Sequence, residues 1–346
     1  MSNVSTRAEG RLGTITLDRP QAINALNTPM VRAITAALQR WESEEAVETV
    51  LIEGGGERGL CAGGDIVMFR SSALAGDGQA REFWSEEYAL DARIAAYPKP
   101  VVVFMDGIVM GGGVGLCGHA SHRVATERLL WSMPEVGIGF CPDVGGPFLL
   151  ARAPGELGLH LALSAARIGA GDAIACGFAD VCVDSSRLDA LREELRSTDP
   201  ETAIAHALAQ SAPPPAASLL AQREILDPAY AGPSAAAIVA ALEADGREPA
   251  SAAAAAIRQQ SPTAQEVTLR AIRRASRLQS LEQCLAQDLQ TSTAFMGVPD
   301  FVEGIRALVV DKDREPRWSP SRLEDVSEED LSAFSHLSAP PTGRNI

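Results

Sequence analysis

Apolar and polar residues alternate through 11–17 (RLGTITL), the pattern of a half-buried strand, and the run stops at Asp18-Arg19-Pro20. Thr28-Pro29 reads as a helix cap with proline at the first helical position, and Val31, Ile34, Leu38 and Trp41 follow at helical spacing. A short apolar run at 49–52 predicts a buried strand that opens into the glycine-rich turn GGGERGLCAGGD. The same succession returns further on. An amphipathic stretch over 79–97 breaks at Pro98-Lys99-Pro100, the apolar run VVVFMDG follows, and a second glycine cluster, Gly111-Gly112-Gly113-Val114-Gly115, closes it. Short strands are expected at 122–126 and near Trp131, ahead of the loop MPEVGIGFCPDVGG. Strands separated by helices predict βαβ units, and so an α/β fold with a largely parallel sheet and helices outside it.

Past residue 197 the pattern turns helical and alanine-rich, with alanine runs at 235–237 and 252–256. A linker is expected at Pro213-Pro214-Pro215, one late strand at 308–310, and a frayed end from 335 to 346. These features divide the chain into an α/β core over 1–195 and a mainly helical region over 196–346 that packs on it.

Charge narrows the partners. The 45 acidic and 30 basic residues leave a formal net charge of −15, with no Lys/Arg run to neutralise phosphates, so a nucleic-acid partner is not expected. An anionic ligand would have to be met locally, by backbone N–H groups or a few placed cations. The opening residues, MSNVSTRAEG, have no basic and then apolar region of a secretory signal. The most apolar stretch, 100–118, is broken by Asp106 and by glycine, which argues against a membrane span. The 6 cysteines are scattered and make no CxxC pair, so neither a zinc site nor a disulfide framework is expected, and reduced thiols fit a cytoplasm.

Two kinds of residue could carry chemistry. Where a buried strand runs into a glycine turn that opens a helix, unpaired N–H groups point outward. Gly64 in CAGGD and Gly112 in MGGGVG are the candidates for a pair of such donors forming an oxyanion hole. Each cluster also fits a tight turn or close helix packing with no ligand. The second kind is a pair of carboxylates, Glu135 and Asp143, eight residues apart in an otherwise apolar loop. Acids tolerate burial when paired or functional, and a desolvated carboxylate suits general-base work. The alternative roles are capping ones, Glu135 for its local turn and Asp143 for a helix starting near Gly145.

The segments LDRPQAINALN, LCAGGDI, KPVVVFMDGIVMGGGVG and MPEVGIGFCPDVGG, in this order, resemble the crotonase (enoyl-CoA hydratase/isomerase) superfamily. Together with the late segment DFVEGIRALVVDKDREPRW they resemble its 3-hydroxyisobutyryl-CoA hydrolase branch. The resemblance implies a crotonase-like spiral of ββα units with a helical C-terminal region. It also implies that the CoA of an acyl-CoA substrate lies along Ala62, Gly63, Gly64 and Asp65, with no separate cofactor and no metal. It places Glu135 at one hydratase glutamate and Gly115 where hydratases carry the second. Asp143 stands where the hydrolase branch has aspartate, and Glu87 matches a further acid near the substrate. The implied activity is thioester hydrolysis of a short 3-hydroxyacyl-CoA in valine breakdown. Enoyl-CoA hydration or isomerisation and non-catalytic CoA binding are the alternatives. A trimer or hexamer is the implied assembly.

Overall fold

The alternating run after Arg11 forms a strand, and a second strand precedes it. In the computed structural model, which describes residues 3–339, β1 (Val4–Glu9) and β2 (Leu12–Leu17) make an antiparallel hairpin whose register pairs Val4 with Leu17 and Glu9 with Leu12. Helix α1 (Thr28–Ser43) leads to β3 (Thr49–Gly54) and β4 (Gly59–Cys61). Helices α2 (Ile66–Ala75) and α3 (Gln79–Ala95) come before β5 (Val101–Met105) and β6 (Ile108–Met110). The short helix α4 (Gly112–Gly118) is followed by β7 (His122–Thr126), β8 (Leu130–Ser132), helix α5 (Gly146–Leu150) and β9 (Val181–Val183), with further helices between and beyond the last two.

The strands sort into two sheets. The larger has the order β1-β2-β3-β5-β7-β9, parallel after the first pair, and the smaller has the order β4-β6-β8. From β3 onward each repeat sends its first strand to the large sheet and its second to the small one. That is the expected mixed α/β fold built from ββα turns.

Two compact units are present. The first gathers the residues up to Gly64 with Glu86–Trp131 and Arg167–Ala217; the second gathers Asp65–Ser85, Ser132–Ala166 and the residues from Ser218 onward. The compositional division at 195 follows position along the chain, whereas these units draw on several separate stretches. The proline stretch at 213–215 is exposed, without regular structure, and lies just before the Ala217/Ser218 boundary.

In the first unit the centre of the large sheet is buried on both faces, which is why β3 and β5 are nearly continuous apolar runs. One face packs Leu12, Leu51, Val102 and Phe104 against Leu191 and Ile204 of the helices Leu188–Glu194 and Pro200–Leu208. On the other, Gly13 leaves room for Trp41 of α1, since a Cβ there would lie 2.7 Å from the indole ring. The cap of α1 differs from expectation by one residue. Asn27 is the cap, accepting from the Met30 N–H, and Thr28 is already helical.

The second unit is helical. Its later helices include Pro262–Ala275 and Leu281–Phe295, and Ala275, Leu278 and Cys284 form a cluster that also takes Phe148 of α5. The late strand at 308–310 is not formed. Arg306–Val310 is a turn of π-helix, closed by the Asp311 N–H on the Arg306 carbonyl, and Leu308 and Val310 stay exposed instead of pairing with a sheet. Nor does the chain fray from Ser335, because Ser332–Leu337 is a 3-10 helix with Phe334 and Leu337 buried. The remainder of that expected tail, from residue 340, lies outside the described residues.

Candidate active site

In the first unit the two glycine turns leave adjacent strands side by side. Strands β4 and β6 run parallel, with Gly59 opposite Ile108 and Cys61 opposite Val109. After β4 the backbone is fixed by hydrogen bonds to the preceding segment. The Ala62 N–H donates to Ile23 (2.9 Å) and the Leu26 N–H to the Gly63 carbonyl (2.8 Å), while Gly64 bridges to Leu26. Buried Asn24 locks the same region, donating to the carbonyls of Gly55, Gly59 and Leu60. After β6, Gly111 takes a φ of 49° and caps α4, whose first N–H groups, beginning at Gly112, have no acceptor inside the helix.

The two turns are in close approach. A Cβ on Gly63, which has a φ of 109°, would lie 3.8 Å from the Gly112 nitrogen, and one on Gly113 would lie 2.5 Å from the Cys61 carbonyl oxygen. Glycine is required here by both dihedral angle and space. Sequence reasoning could name Gly64 and Gly112 but not this approach, since β4 and β6 lie more than forty residues apart.

Glu87 belongs to this cradle. It is buried at 2% exposure, and a Cβ on Gly112 would meet its Oε1 at 2.4 Å. Its neighbour Glu86 behaves differently, pairing at the partly exposed surface with Arg32 (2.6 Å). A solvated-helix role therefore fits Glu86 and not Glu87. The Cys61 thiol is pushed up to about 12, first by burial and also by the Glu87 charge, which suits a small apolar filler. Asp65 accepts from the Met68 N–H (3.3 Å) and caps α2.

In the second unit the loop over 133–146 is held from several sides. The Ser261 N–H donates to the Val136 carbonyl, and Gly139, with a φ of 69°, lies against the Asp300 carbonyl, where a Cβ would come within 2.2 Å. Phe140 stacks on Trp84 with 5.5 Å between ring centroids. Glu135 and Asp143 are both buried in this loop, at 7% and 6% exposure. Neither stands at a cap position, since Pro134 caps the 3-10 turn Glu135–Ile138 and Gly145 caps helix α5. Glu135 Oε2 has no hydrogen-bond partner among the described residues. Burial raises this carboxyl well above the ordinary glutamate range, and the Asp143 charge adds to the shift. A carboxyl so placed can carry a proton at pH values where an exposed glutamate would have lost it.

A third acid, Asp288 on the helix Leu281–Phe295, was not singled out in the sequence. It is buried at 2% exposure and accepts from the Gly145 N–H at 2.8 Å. Burial raises it as well, against the Gly145 hydrogen bond, with the Asp143 charge contributing. The available signal was its place on the apolar face of its helix, in line with Leu281, Cys284, Leu285 and Phe295. No group of three or more His, Cys, Asp or Glu among the described residues is arranged to hold a metal ion. No helix among them is long and apolar enough to cross a membrane.

Comparison with known proteins gives one family and more than one activity. A family profile described as enoyl-CoA hydratase/isomerase matches residues 12–335. The chain is 39% identical to the mitochondrial 3-hydroxyisobutyryl-CoA hydrolase of Danio rerio, over 97% of this chain and 90% of that protein. Among solved structures it resembles a carnitinyl-CoA dehydratase from Mycobacterium thermoresistibile, with 45% identity and a TM-score of 0.92, over 99% of this chain and 98% of the other. An enoyl-CoA hydratase from Rhodobacter sphaeroides 2.4.1 follows at 42% identity and a TM-score of 0.87, covering 98% of both chains.

Proposed function

The chain belongs to the enoyl-CoA hydratase/isomerase family, and from that premise we propose that it is a thioester hydrolase releasing CoA from a short 3-hydroxyacyl-CoA, with 3-hydroxyisobutyryl-CoA as the substrate. The observation that carries this is the pair of buried acids, Glu135 and Asp143, which share one otherwise apolar loop. The Danio rerio relative bears the name of that hydrolase.

The chemistry follows from the groups available. Attack on a thioester carbonyl makes a tetrahedral oxyanion, and its collapse expels the CoA thiolate. We assign the N–H groups of Gly64 and Gly112 to that oxygen; one such donor is typically worth about 2.7–4 kcal/mol. Ala62, Gly63, Gly64 and Asp65 are assigned to the CoA path. Glu135, whose raised proton affinity suits a base at neutral pH, either deprotonates the attacking water or attacks the carbonyl itself as a nucleophile. Repeated turnover in heavy-oxygen water separates the two, because label in the Glu135 carboxyl requires an anhydride. Asp143 is assigned to the substrate's 3-hydroxyl or to the water, and Glu87 to a further substrate contact. A site built to hydrogen-bond a hydroxyl discriminates strongly against analogues lacking it.

Hydration is the competing reading, favoured by the names of the two solved neighbours. Against it stands Gly115, buried and without a side chain where the second acid of a hydratase is expected. The deciding experiment compares free CoA released from 3-hydroxyisobutyryl-CoA by the wild type and by Asp143→Gly, beside loss of crotonyl-CoA absorbance. We expect fast release by the wild type and almost none by the variant. Crotonyl-CoA turnover without CoA release would move the assignment to a hydratase, and binding with neither signal to a non-catalytic protein. All 6 cysteines are free and buried, in keeping with a reducing compartment such as the cytoplasm, though the Danio rerio relative is named mitochondrial. Valine breakdown and a trimeric or hexameric assembly, both implied by the resemblance, complete the proposal.

A further inference from the structure

The chain reverses sharply just after Asp143. Val144 has a φ of 53° and Gly145 a φ of 73°, so two successive residues lie in the left-handed region. Glycine enters that region freely, but a β-branched valine there is an outlier that persists only when its surroundings enforce it. Val144 is fully buried and leaves the turn no room to relax outward. The Gly146 N–H closes the turn on the Asp143 carbonyl at 2.6 Å. Asp288 holds it from outside, its Oδ2 accepting from the Gly145 N–H at 2.8 Å across 143 residues of sequence.

Asp288 is itself buried at 2% exposure, with the Cys284 thiol at 3.8 Å and the Gln287 side chain also bonded to it. A carboxyl placed there for stability alone is a poor choice, since an apolar side chain of similar volume would avoid the desolvation cost. What an apolar residue cannot do is accept a hydrogen bond from a strained turn. We propose that Asp288 is a positioning residue: its carboxyl oxygen pins Gly145 and thereby holds Asp143 in the orientation that thioester hydrolysis needs. This rests on the hydrolase assignment and adds to it a distant residue that touches no substrate. The required property is an acceptor oxygen, not a charge. Burial and the Asp143 charge favour the neutral acid, which still offers that oxygen.

The test uses the full chain, with CoA release from 3-hydroxyisobutyryl-CoA as the readout and a thermal melt of each variant as the fold control. Asp288→Asn keeps an oxygen acceptor and should retain kcat to within about threefold. Asp288→Ala removes it and should lose kcat by about tenfold or more with KM little changed, as expected when a transition-state contact is lost. The same Ala substitution placed on Asp143→Gly should cost no more than about twofold further, because residues that act through one another are non-additive. An equal loss in both backgrounds would mean a merely structural role and overturn the proposal. If Asp288→Ala does not fold, Asp288→Asn still decides: a folded variant that has lost about tenfold or more of its activity refutes the acceptor role. A wild type that releases no CoA removes the hydrolase assignment and this inference with it. An active, Asp143-dependent wild type with no Asp288 coupling removes the inference alone.

Discussion

Gly113→Ala tests whether the close approach of the two glycine turns is what the first unit is built around. A Cβ at this position would lie 2.5 Å from the Cys61 carbonyl oxygen, 3.2 Å from its carbon and 3.0 Å from its Cβ. These atoms belong to the end of β4 and not to the tip of a flexible side chain. Cys61 is itself fully buried, so the strand has nowhere to retreat without disturbing its packing. Forcing a methyl group into such a place costs about 1–3 kcal/mol. At about 2–4 °C per kcal/mol for a domain of this size, the melting temperature should fall by several degrees. The functional loss should exceed the loss of stability. Restoring an ordinary contact moves the end of β4 by most of an ångström away from α4, and Ala62, Gly63 and Gly64 move with it. Oxyanion donors work at about 2.7–3.1 Å, and loss of one typically costs about 10²–10³ in kcat. We therefore expect a folded variant with kcat reduced by about tenfold or more, read from CoA release at saturating substrate. Gly297→Ala is the matched control, because its Cβ would find only the Ala294 carbonyl, at 3.8 Å. Unchanged melting and unchanged kcat in Gly113→Ala would refute the claim that backbone proximity sets this site.

Which features the sequence disclosed follows from where each one's stabilisation comes from. Strands β3 and β5 carry their own signal as apolar runs buried on both faces, and β2 carries it as an alternation of apolar and polar residues. Strand β1 does not: it is an edge strand whose Ser5, Arg7 and Glu9 are not buried, and its pairing is supplied by β2. At 308–310 the apolar triplet misleads, since hydrophobicity without a neighbouring edge makes no strand. The site divides in the same way. Glycine at the two turns and acids in an apolar loop are visible because the residue types are themselves unusual there. Choosing Glu87 over Glu86 needed the helical stripe through Phe83, Trp84, Leu90 and Ile94, all buried, which puts Glu87 inward and its neighbour outward. For Asp288 the stripe was equally visible. Its partner was not, since a contact between residues 145 and 288 has no local signature.

Two further predictions follow from buried polar groups. Asn24→Ala leaves the carbonyls of Gly55, Gly59 and Leu60 without their donor, at about 1–3 kcal/mol for each group left unsatisfied. It also puts alanine at a φ of 54°, so the urea midpoint should fall clearly with the slope unchanged. The second concerns Glu135, where function and stability should move in opposite directions. Glu135→Gln removes the base and should lower kcat by about 10²–10⁴. In the unfolded chain a glutamate gives up its proton near pH 4.3, about its unperturbed value. Folded Glu135 holds its proton to higher pH because burial and Asp143 both raise it. Between those two limits the native state binds more protons, so stability falls as pH rises, by up to about 1.4 kcal/mol per pH unit. Glutamine has no proton to lose and escapes that cost. Glu135→Gln should therefore melt higher than the wild type at pH 8, and the gap should narrow at pH 5. A gap that stays constant with pH, or a variant that melts lower at pH 8, would mean that Glu135 is ionised without penalty in the folded protein, and the case for it as a base with raised proton affinity would fall.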